Sequence, residues 1–391
     1  MKVLHVIPSL SLSQGGPSFA LPLMEQALAG SGVELTVVTT DDDGRGRHAA
    51  VPLAQPVPSQ GATRLYFRKQ TEFYKVSLPL SRWLEKNVHQ FDLVHIHALF
   101  SHTSTMAARA ARRQRIPYII RPLGVLNRWG MENRRQFLKA LSFRFVETPI
   151  LRHAARLHYT SQAEQHEAEQ TGANGEAAVI PLGIDTAAFQ NLPGPEIFLR
   201  QFPQARGRKL VLFLSRLDAK KGLDLLLPAF AEIKLRQPQA LLVLAGSGAE
   251  AFVQDLRRRA GELGLTGDIL WTGYLAGADK LSALSAATVF VLPSYSENFG
   301  IALVEALAAG LACVTTTGVA VSEDIAAGEA GLVVPPEKAA LAAALEQLLA
   351  DESLRARLGA NARRLAQTRF SLTALGVALR RLYEQIIAGK K

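Results

Sequence analysis

The chain has 391 residues, 48% of them hydrophobic and 20% charged, which excludes an intrinsically disordered protein and predicts two globular α/β domains. Its single cysteine, Cys313, excludes an intrachain disulfide and indicates a reducing compartment. The net charge is +10, and the sequence lacks the run of about 18 apolar residues that a membrane-spanning helix needs.

The N-terminal segment predicts a parallel strand, a loop and a helix. Residues 2–8 are mostly apolar, residues 9–16 (SLSLSQGG) suit a flexible loop, and a helix is predicted from Pro17. We interpret the start as a strand and not as a signal peptide, because no small-residue cleavage site follows the apolar run. Gly15 and Gly16 in the loop allow the backbone to approach a ligand closely.

Three consecutive aspartates, 41–43, follow the second predicted strand, 33–40. Adjacent carboxylates can hold a divalent metal ion. However, Gly44, Gly46 and two arginines follow them, and this composition is typical of a solvated turn. We therefore favour the turn and expect no metal ion.

A buried strand is predicted over 91–97, and three histidines lie in or after it. Ligands bind at the carboxyl ends of strands in parallel sheets. His97, at that end, is therefore our first candidate for contact with a substrate, and His102 is the second. For His95, in mid-strand, a structural role is favoured.

Positive charge is concentrated between residues 105 and 156, a stretch that contains twelve Lys and Arg and only two Glu. This excess equals the net charge of the whole chain, and aromatic and apolar residues are interleaved with it. Such a segment suits an anionic membrane surface or a polyanionic acceptor. The alternative is the solvated face of a helix over the core. No nucleic-acid partner is expected, because no nucleic-acid-binding motif accompanies the charge.

A change of composition separates the two predicted domains. The first ends after a strand over 179–185, and residues 187–208 are rich in Pro and Gly with few periodic apolar positions, as an interdomain linker would be. The second opens with an apolar strand over 209–215.

Two cations follow that strand directly. Arg216 and Lys221 lie between the strand end and a predicted helix. Positive charge at a helix N-terminus opposes the helix dipole, so a bound anion would compensate it. The pair therefore predicts a clamp for a diphosphate. A later strand, 241–244, leads into Gly246, which is consistent with backbone contact to a nucleotide.

A strand over 289–293 is followed by a loop and by a helix from Ile301. Free N–H groups at such a loop and helix start suit phosphate. Glu297 in the loop and Glu305 in the helix would repel phosphate, so they more plausibly accept hydrogen bonds from sugar and ribose hydroxyls. Together these features predict a nucleotide sugar as ligand.

The segment from Ser296 to Gly310, with its SENFG and EALAAG sequences and two glutamates eight positions apart, resembles the E-x7-E signature of family 4 retaining glycosyltransferases. The resemblance extends over nearly the whole chain. It implies the GT-B fold, with two doubly wound Rossmann-like domains that face an interdomain cleft. Residues 1–186 and a crossover helix, 371–391, would bind the acceptor, and residues 209–370 the nucleotide sugar.

The resemblance also implies roles for individual residues. Arg216 and Lys221 would neutralise the pyrophosphate leaving group together with loop N–H groups, and Glu297 would hold the donor sugar while Glu305 holds the ribose. The other residues expected at the donor are Gly15, Gly16, Gly246, Trp271, Tyr274, Asn298, Phe299 and Gly300. Trp271 could equally be a core residue.

One position departs from the family pattern. Many relatives carry a histidine in a sequence like SPHG, where this chain has Arg121, Pro122, Leu123 and Gly124. Leucine neither donates nor accepts a hydrogen bond. Either Arg121 or His97 would then take over the contact, or the substrate is positioned differently.

The resulting hypothesis is a metal-independent, retaining hexosyltransferase that takes a UDP- or GDP-sugar and acts in polysaccharide or glycolipid assembly. It would be cytoplasmic, or peripheral on the inner membrane face. Two alternatives are a nucleotide-sugar epimerase of the same fold and a non-catalytic protein that binds sugar nucleotides.

Overall fold

The computed structural model describes residues 1–11, 16–126 and 141–389. It divides into two compact units, one made of Met1–Gly183 with Leu372–Lys391 and the other of Ile184–Ser371. Residues 187–208, predicted as a linker, are part of the second unit. There the backbone N–H of Phe198, which is buried, donates a hydrogen bond to Ser282. A buried aromatic side chain thus anchors this Pro-rich segment.

The first unit contains a sheet that has eight strands among the described residues, in the order β3-β4-β2-β1-β5-β6-β7-β8. All neighbouring pairs are parallel except β3 with β4. The strands are β1 Lys2–Val6, β2 Glu34–Thr40, β3 Pro56–Ser59, β4 Ala62–Phe67, β5 Leu93–His97, β6 Tyr118–Arg121, β7 Arg156–Tyr159 and β8 Ala177–Val179.

Helices cover both faces of this sheet, and apolar side chains from both faces form two clusters of buried residues. The helices are α1 Gly16–Leu28, α2 Leu78–Asn87, α3 His102–Arg113, α4 Thr148–Arg152 and α5 Gln162–Gln170, with the C-terminal helix α14, Leu372–Ala388, belonging to the same unit. A π-helical turn, Phe143–Glu147, precedes α4.

The second unit contains a parallel sheet with six strands among the described residues, in the order β11-β10-β9-β12-β13-β14. The strands are β9 Lys209–Leu214, β10 Ala240–Ala245, β11 Ile269–Gly273, β12 Val289–Leu292, β13 Cys313–Thr316 and β14 Gly331–Val334. The helices are α6 Glu196–Gln201, α7 Leu223–Arg236, α8 Glu250–Glu262, α9 Gly277–Ala286, α10 Ile301–Ala308, α11 Ser322–Ala327, α12 Lys338–Ala350 and α13 Glu352–Arg369.

Central strands form where the sequence has continuous apolar runs. All six residues of β10 and all four of β12 are buried, as is typical of parallel strands covered by helices on both faces. The predicted strands at these positions are confirmed within one or two residues.

Strand β3 lies in a Pro-rich segment whose composition is typical of a loop. Nevertheless, Pro56–Ser59 pairs antiparallel with β4 at the edge of the sheet. Proline lacks an N–H and is tolerated only where no further strand pairs. Strand β3 contains two prolines and is accordingly an edge strand of the sheet.

No helix in the described ranges combines the length and the apolar character that crossing a membrane requires.

Candidate functional site

The second unit brings two predicted residues into direct contact. Lys221 ends a short 3-10 turn, Ala219–Lys221, after β9, and its Nζ donates to Oε2 of Glu297 in the loop after β12. The side chain of Lys221 is 10% exposed and that of Glu297 is 23% exposed. The proposed clamp and the first acid of the signature therefore share one site.

Sheet order and close backbone packing produce this contact. Strands β9 and β12 are hydrogen-bonded neighbours, so the loops that follow them leave the same edge of the sheet side by side. The N–H of Tyr295 donates to the carbonyl of Lys220 at 2.8 Å. Gly222 has a φ of +68°, and a Cβ there would lie 2.0 Å from the carbonyl oxygen of Pro293. Only glycine allows the two loops to pack this closely.

The start of helix α10 is open to an anion. Gly300 caps it with a φ of +83°, and no side chain of a described residue makes a capping hydrogen bond there. Asn298 is exposed in the loop before it. Free N–H groups at a helix start favour bound phosphate.

Phe299 contributes only its backbone to this loop. Its side chain is 4% exposed, and its ring packs edge to face on Phe370 with 5.7 Å between the ring centroids. The ring of Phe299 is therefore a core contact, and the prediction of a donor contact at this residue concerns its backbone N–H. An apolar side chain gains more free energy in the core than at a solvated loop.

Glu305, on α10, has a partner that sequence reasoning missed. Lys280 on α9 donates to its Oε1 at 2.6 Å, and both side chains are largely buried. Each of the two signature glutamates is thus paired with a lysine. These pairs offset the negative charge that would otherwise repel phosphate.

Arg216 differs from the lysines in being exposed. Among the residues that the structure describes, none forms a hydrogen bond or an ion pair with its guanidinium. The residue lies at the end of β9, on the same loop as Lys221. An exposed guanidinium there is available for a phosphate.

The remaining residues predicted at the donor, Gly246, Trp271 and Tyr274, differ in how closely the protein packs around them. At Gly246, a Cβ would lie 1.8 Å from the carbonyl oxygen of Ser215, so packing alone requires glycine. Trp271 is half-buried, with the guanidinium carbon of Arg257 5.2 Å from its ring centroid. Tyr274, just beyond β11, is 77% exposed.

In the first unit, the structure places His97 and Arg121 at the ends of adjacent strands, where they are Cα partners. Both are buried, with exposures of 0% and 4%. Burial lowers the pKa of His97 well below its usual value, and the nearby His5 and Arg121 lower it further. Burial also lowers the pKa of Arg121, to about 10. A neutral imidazole thus lies beside a buried cation.

The other candidates in the first unit are His102, Gly15 and Gly16, and the structure describes two of them. His102 begins α3, and its Nδ1 accepts a hydrogen bond from the N–H of Ser77 at 3.4 Å. Burial and then Arg109 lower its pKa. Gly16 is the first residue of α1, whereas Gly15 lies outside the described residues.

The aspartates after β2 are engaged by cations of the protein. Lys69 and Lys75 donate to Oδ1 of Asp42 at 2.7 and 2.8 Å, and Arg68 and His48 contact Oδ2 of Asp41 at 3.0 Å. Such pairing suits a structural turn better than a metal site, because the protein's own cations already contact these carboxylates.

A different group could hold a metal ion by distance alone. The ligand atoms of His5, His95 and His97 lie within 4.8 Å of one another, and all three side chains are buried. Five of their six ring nitrogens, however, are used in hydrogen bonds with each other, with Tyr383 and with His158, and Nδ1 of His97 is the one without a partner among the described residues. His95 therefore has the structural role that the sequence favours.

Two family models match the chain. The model described as "Glycosyl transferase 4-like domain" matches residues 15–183, and that described as "Glycosyl transferases group 1" matches residues 196–365. The phosphatidyl-myo-inositol mannosyltransferase of Mycolicibacterium smegmatis is 30% identical over 85% of this chain and 80% of that protein.

Solved structures share the fold over the full length. The sucrose-phosphate synthase of Thermosynechococcus elongatus superposes with a TM-score of 0.75 at 22% identity and covers 100% of both chains. The HepE protein of Anabaena, in complex with UDP and glucose, superposes with a TM-score of 0.74 at 21% identity. It covers 98% of this chain and 100% of its own.

Proposed function

Because the chain belongs to the group 1 glycosyltransferases of the GT4 type and is therefore a hexosyltransferase with the GT-B fold, we propose that it transfers a sugar from a nucleotide-diphosphate sugar to an acceptor hydroxyl with retention of configuration. Family membership favours transfer over the epimerase and over a non-catalytic protein.

The contact between Lys221 and Glu297 carries this proposal. It brings a cation suited to phosphate and a carboxylate suited to sugar hydroxyls to the same strand edge, beside the open start of α10. When a donor binds, the diphosphate replaces Glu297 as the main partner of Lys221. The carboxylate then accepts hydrogen bonds from the donor sugar.

The remaining residues of the second unit fit the rest of the donor. Arg216 binds the diphosphate from the same loop as Lys221, and the N–H groups of Phe299 and Gly300 add uncharged donors. Glu305 accepts hydrogen bonds from ribose hydroxyls while Lys280 orients it. Tyr274 packs against the base.

The reaction needs no covalent intermediate on the enzyme. The bond between the anomeric carbon and the β-phosphate oxygen breaks, and the acceptor oxygen bonds to that carbon on the same face. The acceptor proton moves to the departing phosphate oxygen. Stabilising the charge that develops on that oxygen is the main catalytic effect, and preorganised cations and N–H groups provide it. We propose that the protein's cations take this role without a metal ion.

We further propose a lipid or lipid-linked acceptor bound at a membrane surface. The relative from Mycolicibacterium smegmatis is named a phosphatidyl-myo-inositol mannosyltransferase, after a lipid. In the first unit, Leu141 and Phe145 expose 47% and 65% of their surface next to Arg144. Exposed apolar side chains beside cations fit the interface of an anionic membrane.

A transfer assay tests the proposal. The purified protein is incubated with GDP-mannose, UDP-glucose and other nucleotide sugars, each with phosphatidylinositol, polyprenyl-linked saccharides or free sugars as acceptor. Release of nucleotide and mass of product are measured together. A glycosylated product with an unchanged anomeric configuration supports the proposal, and inversion at that carbon or release of nucleotide without any acceptor product contradicts it.

A further inference from the structure

Buried polar side chains form one continuous series of hydrogen bonds in the first unit. Each is fully buried. The members, in order, are His97, His5, Tyr383, His95 and His158, and the series ends at the carbonyl of Ile180.

The direction of proton donation along this series follows from its last member. The carbonyl of Ile180 can only accept, so the Nε2 of His158, at 3.0 Å, carries a proton. In a neutral ring the Nδ1 of His158 is then an acceptor, and it receives a hydrogen bond from Nε2–H of His95 at 3.2 Å. The Nδ1 of His95 is an acceptor in turn, and the hydroxyl of Tyr383 donates to it at 2.9 Å.

The same reasoning reaches His97. The oxygen of Tyr383 accepts from Nε2–H of His5 at 3.0 Å, which leaves Nδ1 of His5 to accept from Nε2–H of His97 at 3.2 Å. His97 therefore holds its proton on Nε2. Burial keeps every ring neutral, since it lowers the pKa of His5 and of His158 to about 3.

Two polar atoms at the head of the series remain without a partner among the described residues. They are Nδ1 of His97, an acceptor, and Nε of Arg121, a donor, and both are buried. His97 and Arg121 are Cα partners on adjacent parallel strands, so their side chains leave the same face of the sheet. An unpaired buried polar atom is destabilising, so both atoms would gain from a hydrogen-bond partner.

Backbone strain marks the same location. Ala98, directly after His97, has a φ of +80°, and Leu123, two residues after Arg121, has a φ of +63°. Residues other than glycine adopt such values at a cost, and they cluster at functional sites.

We propose that His5, Tyr383, His95 and His158 are positioning residues that hold the proton of His97 on Nε2, and that Nδ1 of His97 and Nε of Arg121 bind one hydroxyl group of the acceptor. A hydroxyl accepts from Nε–H and donates to Nδ1, which satisfies both atoms. An oxyanion could accept from Arg121 but could not donate to Nδ1. The assignment of the hydroxyl to an acceptor sugar or lipid rests on the proposed function, whereas the direction of the series does not.

Nuclear magnetic resonance tests the series without any substrate. The full chain has nine histidines, and long-range ¹H–¹⁵N correlation spectra of ¹⁵N-histidine-labelled protein report which nitrogen of each ring is protonated. We expect the Nε2–H tautomer for His5, His95, His97 and His158, unchanged between about pH 5 and pH 8. A proton on Nδ1 of His97, or titration of that ring in this range, would overturn the proposal.

A pair of matched variants isolates the contribution of Tyr383. In Tyr383→Phe, the link between His5 and His95 is lost, and we expect His97 to become a mixture of tautomers while His158 keeps its own. In Tyr159→Phe, a buried hydroxyl without a partner among the described residues is removed from the same unit, and we expect no change of tautomer. An unaltered His97 in Tyr383→Phe would disprove the positioning role.

Steady-state kinetics test the bound hydroxyl, with the acceptor that gives the highest rate in the transfer assay. Tyr383→Phe weakens about one hydrogen bond to the acceptor and should therefore raise the KM for the acceptor roughly 3- to 10-fold with little change in kcat. Tyr159→Phe should leave both unchanged. An unaltered acceptor KM would overturn the hydroxyl site. If the unmodified protein transfers no sugar, the proposed function is wrong. The NMR measurement of the histidine tautomers then still tests the direction of the hydrogen-bond series.

Discussion

The Nζ of Lys221 donates to Oε2 of Glu297 across 76 positions of sequence. Both residues lie on loops that leave the same edge of the second unit's sheet, because β9 and β12 are neighbours. The ion pair holds a cation beside the start of α10 when no anion is bound.

Removing the cation should therefore affect turnover more than stability. We expect Lys221→Ala to reduce kcat for sugar transfer by about 10²-fold or more, comparable to the loss of one preorganised donor at a developing charge. Rates with the active donor and acceptor measure the effect. Lys338→Ala is the matched control, because Lys338 forms an exposed ion pair with Glu232 at 3.3 Å in the same unit and should leave turnover normal. Near-normal turnover in Lys221→Ala would contradict the clamp.

A second prediction concerns the packing of the two loops. In Gly222→Ala, the new methyl group would meet the carbonyl of Pro293 at 2.0 Å and displace Lys221. We expect the free energy of unfolding to fall by at least about 3 kcal/mol and activity to be lost.

The control separates this contact from backbone strain. Gly264 has a φ of +71° with nothing within 4 Å of the added Cβ, so Gly264→Ala carries the strain alone, about 1 kcal/mol. Urea unfolding of both variants measures the difference. Equal losses of stability would show that the contact with Pro293 has no effect.

The closeness of Lys221 and Glu297 in the second unit could be inferred from the sequence, because the information it needs is local. Lys221 and Glu297 each follow an apolar strand within a few residues, and strand ends in parallel sheets meet at one edge. Lys280 was missed for the opposite reason. It lies on α9, a helix whose sequence has no unusual feature, and only the packing of α9 near α10 brings it to Glu305.

The first unit's histidines were predicted less completely. His95 and His97 are two residues apart on a strand, so a shared face could have been inferred. Their link to Tyr383, 288 positions from His95, depends on the docking of α14, and the pairing of His97 with Arg121 depends on strand register. Neither docking nor register is encoded in a short motif.

A third prediction concerns pH. Glu147 is fully buried in the π-helical turn. Burial raises its pKa above the ordinary value of 4.5, and hydrogen bonds donated by Tyr74 and Ser142 offset this only in part. The folded state therefore binds the proton more tightly than the unfolded state. This stabilisation is fully present below pH 4.5 and is lost as the pH rises through the raised pKa.

Glu147→Gln removes the charge and with it this dependence on pH. We expect the Tm of the variant, relative to the unmodified protein, to increase as the pH rises from 4.5 toward neutrality. Glu384→Gln is the control, because Glu384 is exposed on α14 and pairs with Arg380. Thermal unfolding followed at several pH values measures both. A difference in Tm that does not vary with pH would show that Glu147 is not the titrating group.

A final prediction concerns the membrane surface. We expect the protein to sediment with vesicles that contain phosphatidylserine, and the bound fraction to fall with added salt, because the excess charge of residues 105–156 is screened. Exchanging Leu141 and Phe145 together for serine should weaken binding by about tenfold, or ~1.4 kcal/mol, since both side chains are exposed in this segment. Leu235→Ser is the matched control, because Leu235 is 86% exposed in the second unit and should not affect binding. Binding that is insensitive to salt, or an equal loss in Leu235→Ser, would show that this segment is a solvated surface of the first unit instead.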